Sequence, residues 1–251
     1  MSLPILLSPV TLSDTPPLDL DLRRRKELQI LVHKLGLTAT ETVNWSLLDL
    51  ALTHPSFSGT HNYEQLEFLG DSVVRLIAAE LLLESAPGSS VGEHSAIRSV
   101  LVSDRFLSEL TERLGLTRHV LISPSVSSRD WQADVFEAIL GALYLSTGNT
   151  ELIRPWLDEL LLEKAAIVRQ DPALENYKDA LQSWTQANFQ CLPEYKTRLY
   201  RPEDEDQQFI SEVWLKDQAL AQGIGRSKKN AEQAAAKLAF STHVQSALGT
   251  H

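Results

Sequence analysis

The chain has 251 residues, of which 23 are Lys or Arg and 33 are Asp or Glu, giving a formal net charge of −10. That length accommodates a sizeable core and two domains, and no apolar run is long enough to span a bilayer, so no membrane association is expected. A single cysteine, Cys191, excludes an intramolecular disulfide and fits a cytoplasmic location, and the apolar LPILLSPVTL near the N-terminus lacks the preceding basic segment of a secretory signal. The acidic balance argues against a nucleic-acid partner until its distribution is considered. Residues 177–240 hold nine basic and nine acidic side chains, so residues 1–176, with fourteen and twenty-four, carry the whole deficit.

Residues 1–20 are Pro-rich and lack a clear period, which reads as a flexible N-terminal extension. A helix is expected from Leu22, with Leu28, Ile30, Leu31 and Leu35 apolar and Gly36 as its stop. RRRK at 23–26 reads either as a solvated first turn or as an RNA-binding or localisation cluster. A second helix covers Trp45 to Leu52, followed by THPSF, in which His54 reads either as a structural histidine or as a residue touching a functional site.

From Asn62 to Glu80 the chain reads NYEQLEFLGDSVVRLIAAE. Glu64, Glu67 and Asp71 recur at intervals of three and four, which places them on one helix face, and the remainder is apolar almost all round. Such a helix is expected to be buried in a core or an interface, where carboxylates are costly without a cation. No basic side chain follows until Arg75. After SAPGSS (85–90), helices are predicted over 92–103 and 104–114, ended by Gly115. A second acidic helix, ADVFEAILGALYL, carries Asp134 and Glu137 three apart in an equally apolar setting. If the two helices face each other, four or five carboxylates converge, and an all-oxygen set suits Mg²⁺ or Mn²⁺. The plainer alternative is two solvated faces or helix-capping acids. A further helix spans Glu151 to Val168, making residues 21–169 an all-α domain.

A linker is read at 170–176, around Gln170-Asp171-Pro172. Beyond it the period changes: a helix over Tyr177–Asn188, strands at Tyr195–Tyr200, Phe209–Leu215 and Ala219–Gly225, and an Ala-rich helix from Lys229 to Phe240. Residues 177–242 therefore form a small α+β domain of order α-β-β-β-α, followed by a tail over 243–251.

NYEQLEFLGDS and ADVFEAILGALYL resemble the two acidic motifs of the ribonuclease III family, and ALTHPSF (51–57) and SKKNAEQAAAKLAF (227–240) extend the match in the family's order. The resemblance implies an all-α endonuclease domain followed by a double-stranded-RNA-binding domain. It implies a homodimeric hydrolase of duplex RNA, one strand cut per subunit, with no small-molecule substrate. Its products carry 5′-phosphates and 3′-hydroxyls with a two-nucleotide 3′ overhang, and precursor processing of rRNA or mRNA is the usual role. By the same match Glu67, Asp134 and Glu137 are metal ligands, with Mg²⁺ replaceable by Mn²⁺, and Asp71 and Glu137 are catalytic. Glu64, Gln182, Lys228 and Lys229 are the implied RNA contacts. A catalytically silent RNA-binding or scaffold protein is the alternative, but such a protein usually lacks a ligand, and none is missing here. Two departures stand out. Asp104 replaces a frequent amide, and the loop Arg201–Gln208 puts Asp204 or Glu205 where a groove-entering His is common, amid four consecutive acids.

Overall fold

The structure, a computed structural model, describes residues 21–37, 42–128, 130–171, 173, 176–204 and 206–244. The extension over 1–20, the tail beyond 244 and part of the 170–176 linker lie outside these. The chain divides into two compact units between Ile167 and Val168. Among the described residues no helix is long and apolar enough to cross a membrane.

The first unit is helical. Its elements are α1 (Leu22–Lys34), α2 (Trp45–Ala51), α3 (Glu64–Ser85), α4 (Val91–Leu101), α5 (Asp104–Arg113), α6 (Trp131–Thr147) and α7 (Arg154–Arg169), with a 3₁₀ turn at Leu116–His119. Short polar side chains start several of them: Asp21, Asn44, Ser90 and Ser103 each accept a backbone N–H of the first turn. Gly115 and Gly148, at φ +62° and +71°, end runs where any other residue would be strained in the left-handed region. The last helix starts at Arg154, later than Glu151, because Pro155 lacks an N–H and is tolerated only in a first turn.

At the centre lies α6, buried nearly all round through Val135, Phe136, Ile139, Leu140 and Leu143. Against it packs α3, through Leu66, Val73, Val74, Ile77, Leu81 and Leu82. Of the two settings expected for α3, a core or an interface, the single chain shows the first along one side only. Phe68 is 81% exposed, Leu76 50% and Leu83 60%, so one apolar stripe of α3 faces outward in the single chain. RRRK is also neither wholly solvated nor a free basic cluster. Arg24 turns inward, with Nε 2.6 Å from Asp49 Oδ1 and Nη1 donating to the carbonyl of His119 at 2.8 Å. That arginine fastens α1 to α2 and to the 3₁₀ turn.

The second unit is an α-β-β-β-α domain: α8 (Tyr177–Phe189), β1 (Glu194–Leu199), β2 (Phe209–Leu215), β3 (Gln218–Gly225) and α9 (Lys228–Ala239). Its sheet is antiparallel in the order β1-β2-β3, with Tyr195 opposite Val213 and Ser211 opposite Gly223. The helices cover one face, and the core gathers Leu181, Val213, Ala235, Ala236, Ala239 and Phe240 with Tyr177 and Trp184 packed against it. The alanines of α9 let it settle close on β3, where a Cβ on Gly223 would stand 2.1 Å from the Ala235 nitrogen.

Candidate active site

Two glycines bring the acidic rows together. A Cβ on Gly70 of α3 would stand 1.8 Å from the Glu137 carbonyl oxygen, and one on Gly141 of α6 would stand 2.3 Å from that of Leu66. The two backbones therefore touch. Glu67 lies one turn before Gly70 and Glu137 one turn before Gly141, so the crossing carries both carboxylates to one place. Gly70 thus serves packing within the chain.

The carboxylates feel one another strongly. Burial pushes Glu137 up to about 8, helped by the negative charges of Asp71, Glu67, Asp134 and Asp104. Glu67 is raised by burial, then by Asp134, Glu64 and Asp71. Asp134 is raised by burial, while the Tyr63 hydroxyl opposes the shift and Asp104 adds to it. Glu67, Asp71, Asp104, Asp134 and Glu137 form one electrostatic cluster drawn from α3, α5 and α6. The donors are all oxygens, their charges repel, and a hard divalent cation fits such a set. Among the described residues no three acidic, His or Cys side chains are gathered closely enough to hold an ion as they stand.

Three neighbours shape the cluster. Arg75 reaches back one turn and forks onto Asp71, with Nε 2.8 Å from each carboxylate oxygen. Tyr63, 2% exposed, donates its hydroxyl to Asp134 Oδ2 at 3.4 Å. Its backbone is fixed on both sides: its N–H donates to Thr53, and its carbonyl accepts from Leu66 and Glu67. His54 stands edge-on to Tyr63 and Trp131, and its Nδ1 accepts the Ser56 N–H at 2.9 Å. His54 is thus a structural neighbour of the cluster, and desolvation holds its pKa below the ordinary imidazole value.

The proposed RNA contacts divide between the units. Glu64 is exposed at the start of α3 and adds its charge to Glu67. Gln182 is exposed on α8, and Lys228 and Lys229 are exposed as the first two residues of α9, behind the Ser227 cap. In the β1–β2 loop Asp204 turns inward, its Oδ1 accepting the N–H groups of Asp206 at 3.0 Å and Gln207 at 3.2 Å. Glu205 lies outside the described residues.

Sequence reasoning missed two roles and undervalued a third. The reach of Arg75 is legible as an i,i+4 pair with Asp71. Tyr63 adjoins the acidic row but carries no spacing signal toward Asp134, 71 residues on. Asp104 enters the cluster only through the packing of α5.

Residues 44–164 match the family model described as Ribonuclease-III-like, and residues 177–242 match the Double-stranded RNA binding motif. A Nostoc sp. protein named Ribonuclease 3 2 is 54% identical over 224 residues, 87% of this chain and 93% of that protein. A Synechocystis sp. protein of the same name is 53% identical over 86% of this chain and 91% of its own. Ribonuclease 3 of Gloeobacter violaceus is 42% identical over 86% and 91%. Similarity of this depth along most of both chains, over a helical domain and an α-β-β-β-α domain in that order, places the chain in the ribonuclease III family of endoribonucleases.

Proposed function

We propose that the protein is a Mg²⁺-dependent endonuclease of duplex RNA, with Mn²⁺ able to replace Mg²⁺, acting in the cytoplasm on precursors of rRNA or mRNA. It leaves 5′-phosphate and 3′-hydroxyl ends with a two-nucleotide 3′ overhang, and it works as a homodimer in which each subunit cuts one strand. The observation that carries this reading is the α3–α6 crossing, which loads Glu137 with the charges of Asp71, Glu67 and Asp134.

Glu67, Asp134 and Glu137 would hold the cation, with Asp71 beside them. When bound, the cation lowers the pKa of the attacking water and offsets negative charge at the phosphodiester. The protein's own part is arrangement. Gly70 and Gly141 set the spacing of the two helices, and Tyr63 orients Asp134. In the second unit Lys228 and Lys229 meet phosphate at a helix start, where the dipole and free N–H groups favour anions. A domain of this kind reads A-form shape, through the minor grooves and the phosphates between them. Phe68, Leu76 and Leu83 offer the outward stripe on which a second copy packs.

The test is incubation of the purified chain with a long RNA duplex and Mg²⁺, with EDTA and single-stranded RNA as controls. Duplex cleavage that needs the cation supports the reading. Absence of cleavage, or equal cleavage in EDTA, defeats it.

A further inference from the structure

Arg75 sits one turn past Asp71 on α3. Its Nε lies 2.8 Å from both Asp71 oxygens and its Nη2 lies 2.6 Å from Oδ1. An i,i+4 pair on an open helix face contributes little by itself. The surroundings of this pair extend beyond one helix: Asp71 directly follows Gly70, whose backbone touches that of Glu137 on α6, and the guanidinium also senses the charges of Glu137 and of Asp104 on α5. One positive charge therefore stands among carboxylates from three helices that otherwise only repel one another. Its side chain is 52% exposed and that of Asp71 37%, so the fork can open without disturbing the core.

We infer that Arg75 is a positioning residue that acts as a built-in counter-cation, competing with the divalent ion for the carboxylate cluster. The inference rests on the reading of that cluster as a divalent-cation site. Two consequences follow from Coulomb's law. While no ion is bound, Arg75 offsets part of the repulsion that Asp71, Glu137 and Asp104 exert on one another. Once an ion approaches, the same charge opposes it, at a range where a monovalent and a divalent charge interact strongly even under partial screening. Arg75 thereby sets the cation concentration at which the cluster fills, and it does so without supplying any donor atom to the ion.

Calorimetric titration of Mg²⁺, and separately Mn²⁺, into the metal-free full chain tests this without reference to catalysis. Arg75→Gln removes the charge and keeps a polar side chain of similar reach, and it should bind the ion about tenfold tighter than wild type. Arg75→Lys keeps the charge but loses the fork onto Asp71, so its affinity should lie closer to wild type than to Arg75→Gln. The Mg²⁺ concentration giving half-maximal duplex cleavage should fall in Arg75→Gln by the same factor as the binding constant. A loss of local structure would weaken binding, so tighter binding cannot arise from misfolding. Thermal melts in EDTA check that both variants fold. Arg75→Gln binding no tighter than wild type, or Arg75→Lys binding as tightly as Arg75→Gln, overturns the role. Wild type that binds neither ion overturns the metal-site reading as well, so the two failures are told apart.

Discussion

Glu137 keeps its proton up to about pH 8 in the metal-free protein, because burial and then the charges of Asp71, Glu67, Asp134 and Asp104 oppose ionisation. In the unfolded chain the same carboxyl titrates near its ordinary value of 4.5. A folded-state value above the unfolded one gives stability that is complete below the unfolded pKa and lost as pH rises through the folded one. Thermal melts in EDTA should therefore show wild type losing stability from about pH 5 to about pH 8, and Glu137→Gln losing much less. Parallel curves for the two proteins would contradict this. Since Gln keeps the shape but gives up one charge of the proposed ligand set, Glu137→Gln should also abolish duplex cleavage while RNA binding survives in a gel-shift assay. Near wild-type cleavage in Mg²⁺ would remove Glu137 from the site. Tyr63 acts one step out. Its hydroxyl satisfies one oxygen of Asp134, and its carbonyl anchors the backbone of Glu67. Tyr63→Phe keeps the buried ring and should weaken Mg²⁺ binding about tenfold, in line with other groups that orient metal ligands. An unchanged calorimetric binding constant would leave the tyrosine a packing residue only.

The element that makes the site is the α3–α6 crossing, and its tolerance is narrow. At Gly70 an added methyl meets the Glu137 backbone at 1.8 Å, and backbone cannot swing aside as a side-chain tip can. Gly70→Ala should cost about 3 kcal/mol or more, the upper end for overpacking, because the helices must separate. It should also lower cleavage in the fraction that remains folded, since Glu137 moves with its carbonyl. A melting temperature within about 2 °C of wild type would show that the helices can yield. The order and type of the elements were legible from the sequence because the apolar period marks each of them, helped by side-chain caps at α1, α2, α4, α5 and α9 and by glycine stops at Gly36, Gly115 and Gly148. Partners were less legible. A glycine in an apolar helix signals close approach without naming the helix approached, so Gly70 reads equally well as a contact with a second copy. Arg24 in RRRK shows the same ambiguity among charges, because nothing local distinguishes a solvated arginine from one that pairs with Asp49. Asp104 belongs to the cluster through long-range packing alone, which no spacing rule encodes.

On the scale of the whole molecule, two surfaces remain to be matched to their partners. Isolated exposed leucines are ordinary, but Phe68, Leu76 and Leu83 lie at helical spacing on one face of α3 and form a stripe. Because Phe68 is 81% exposed in the single chain, Phe68→Asp leaves the core intact and acts only on association. Sedimentation should show a wild-type dimer and a folded Phe68→Asp monomer at micromolar concentration, and a well-folded wild-type monomer would refute the dimer. The second surface is the β1–β2 loop. It is held by the Tyr200 N–H donating to the Gln208 carbonyl at 2.8 Å and by Arg201 reaching the Gln207 side chain. Within it Asp204 is a builder of the loop, since its carboxylate accepts two backbone N–H groups. Glu203 and Asp206 are exposed, and among the described residues neither carboxylate accepts a hydrogen bond within the loop. Duplex affinity depends largely on neutralising phosphates, so two acids would oppose it if the loop faces the groove. Glu203→Asn combined with Asp206→Asn keeps the loop and removes that opposition. The double variant should bind duplex RNA several-fold tighter at about 10 mM salt, where charges act over about 30 Å, and converge on wild type near 1 M, where the range is about 3 Å. Filter binding across that salt series reads the effect directly, and equal affinity at low salt would show that the loop faces away from the RNA.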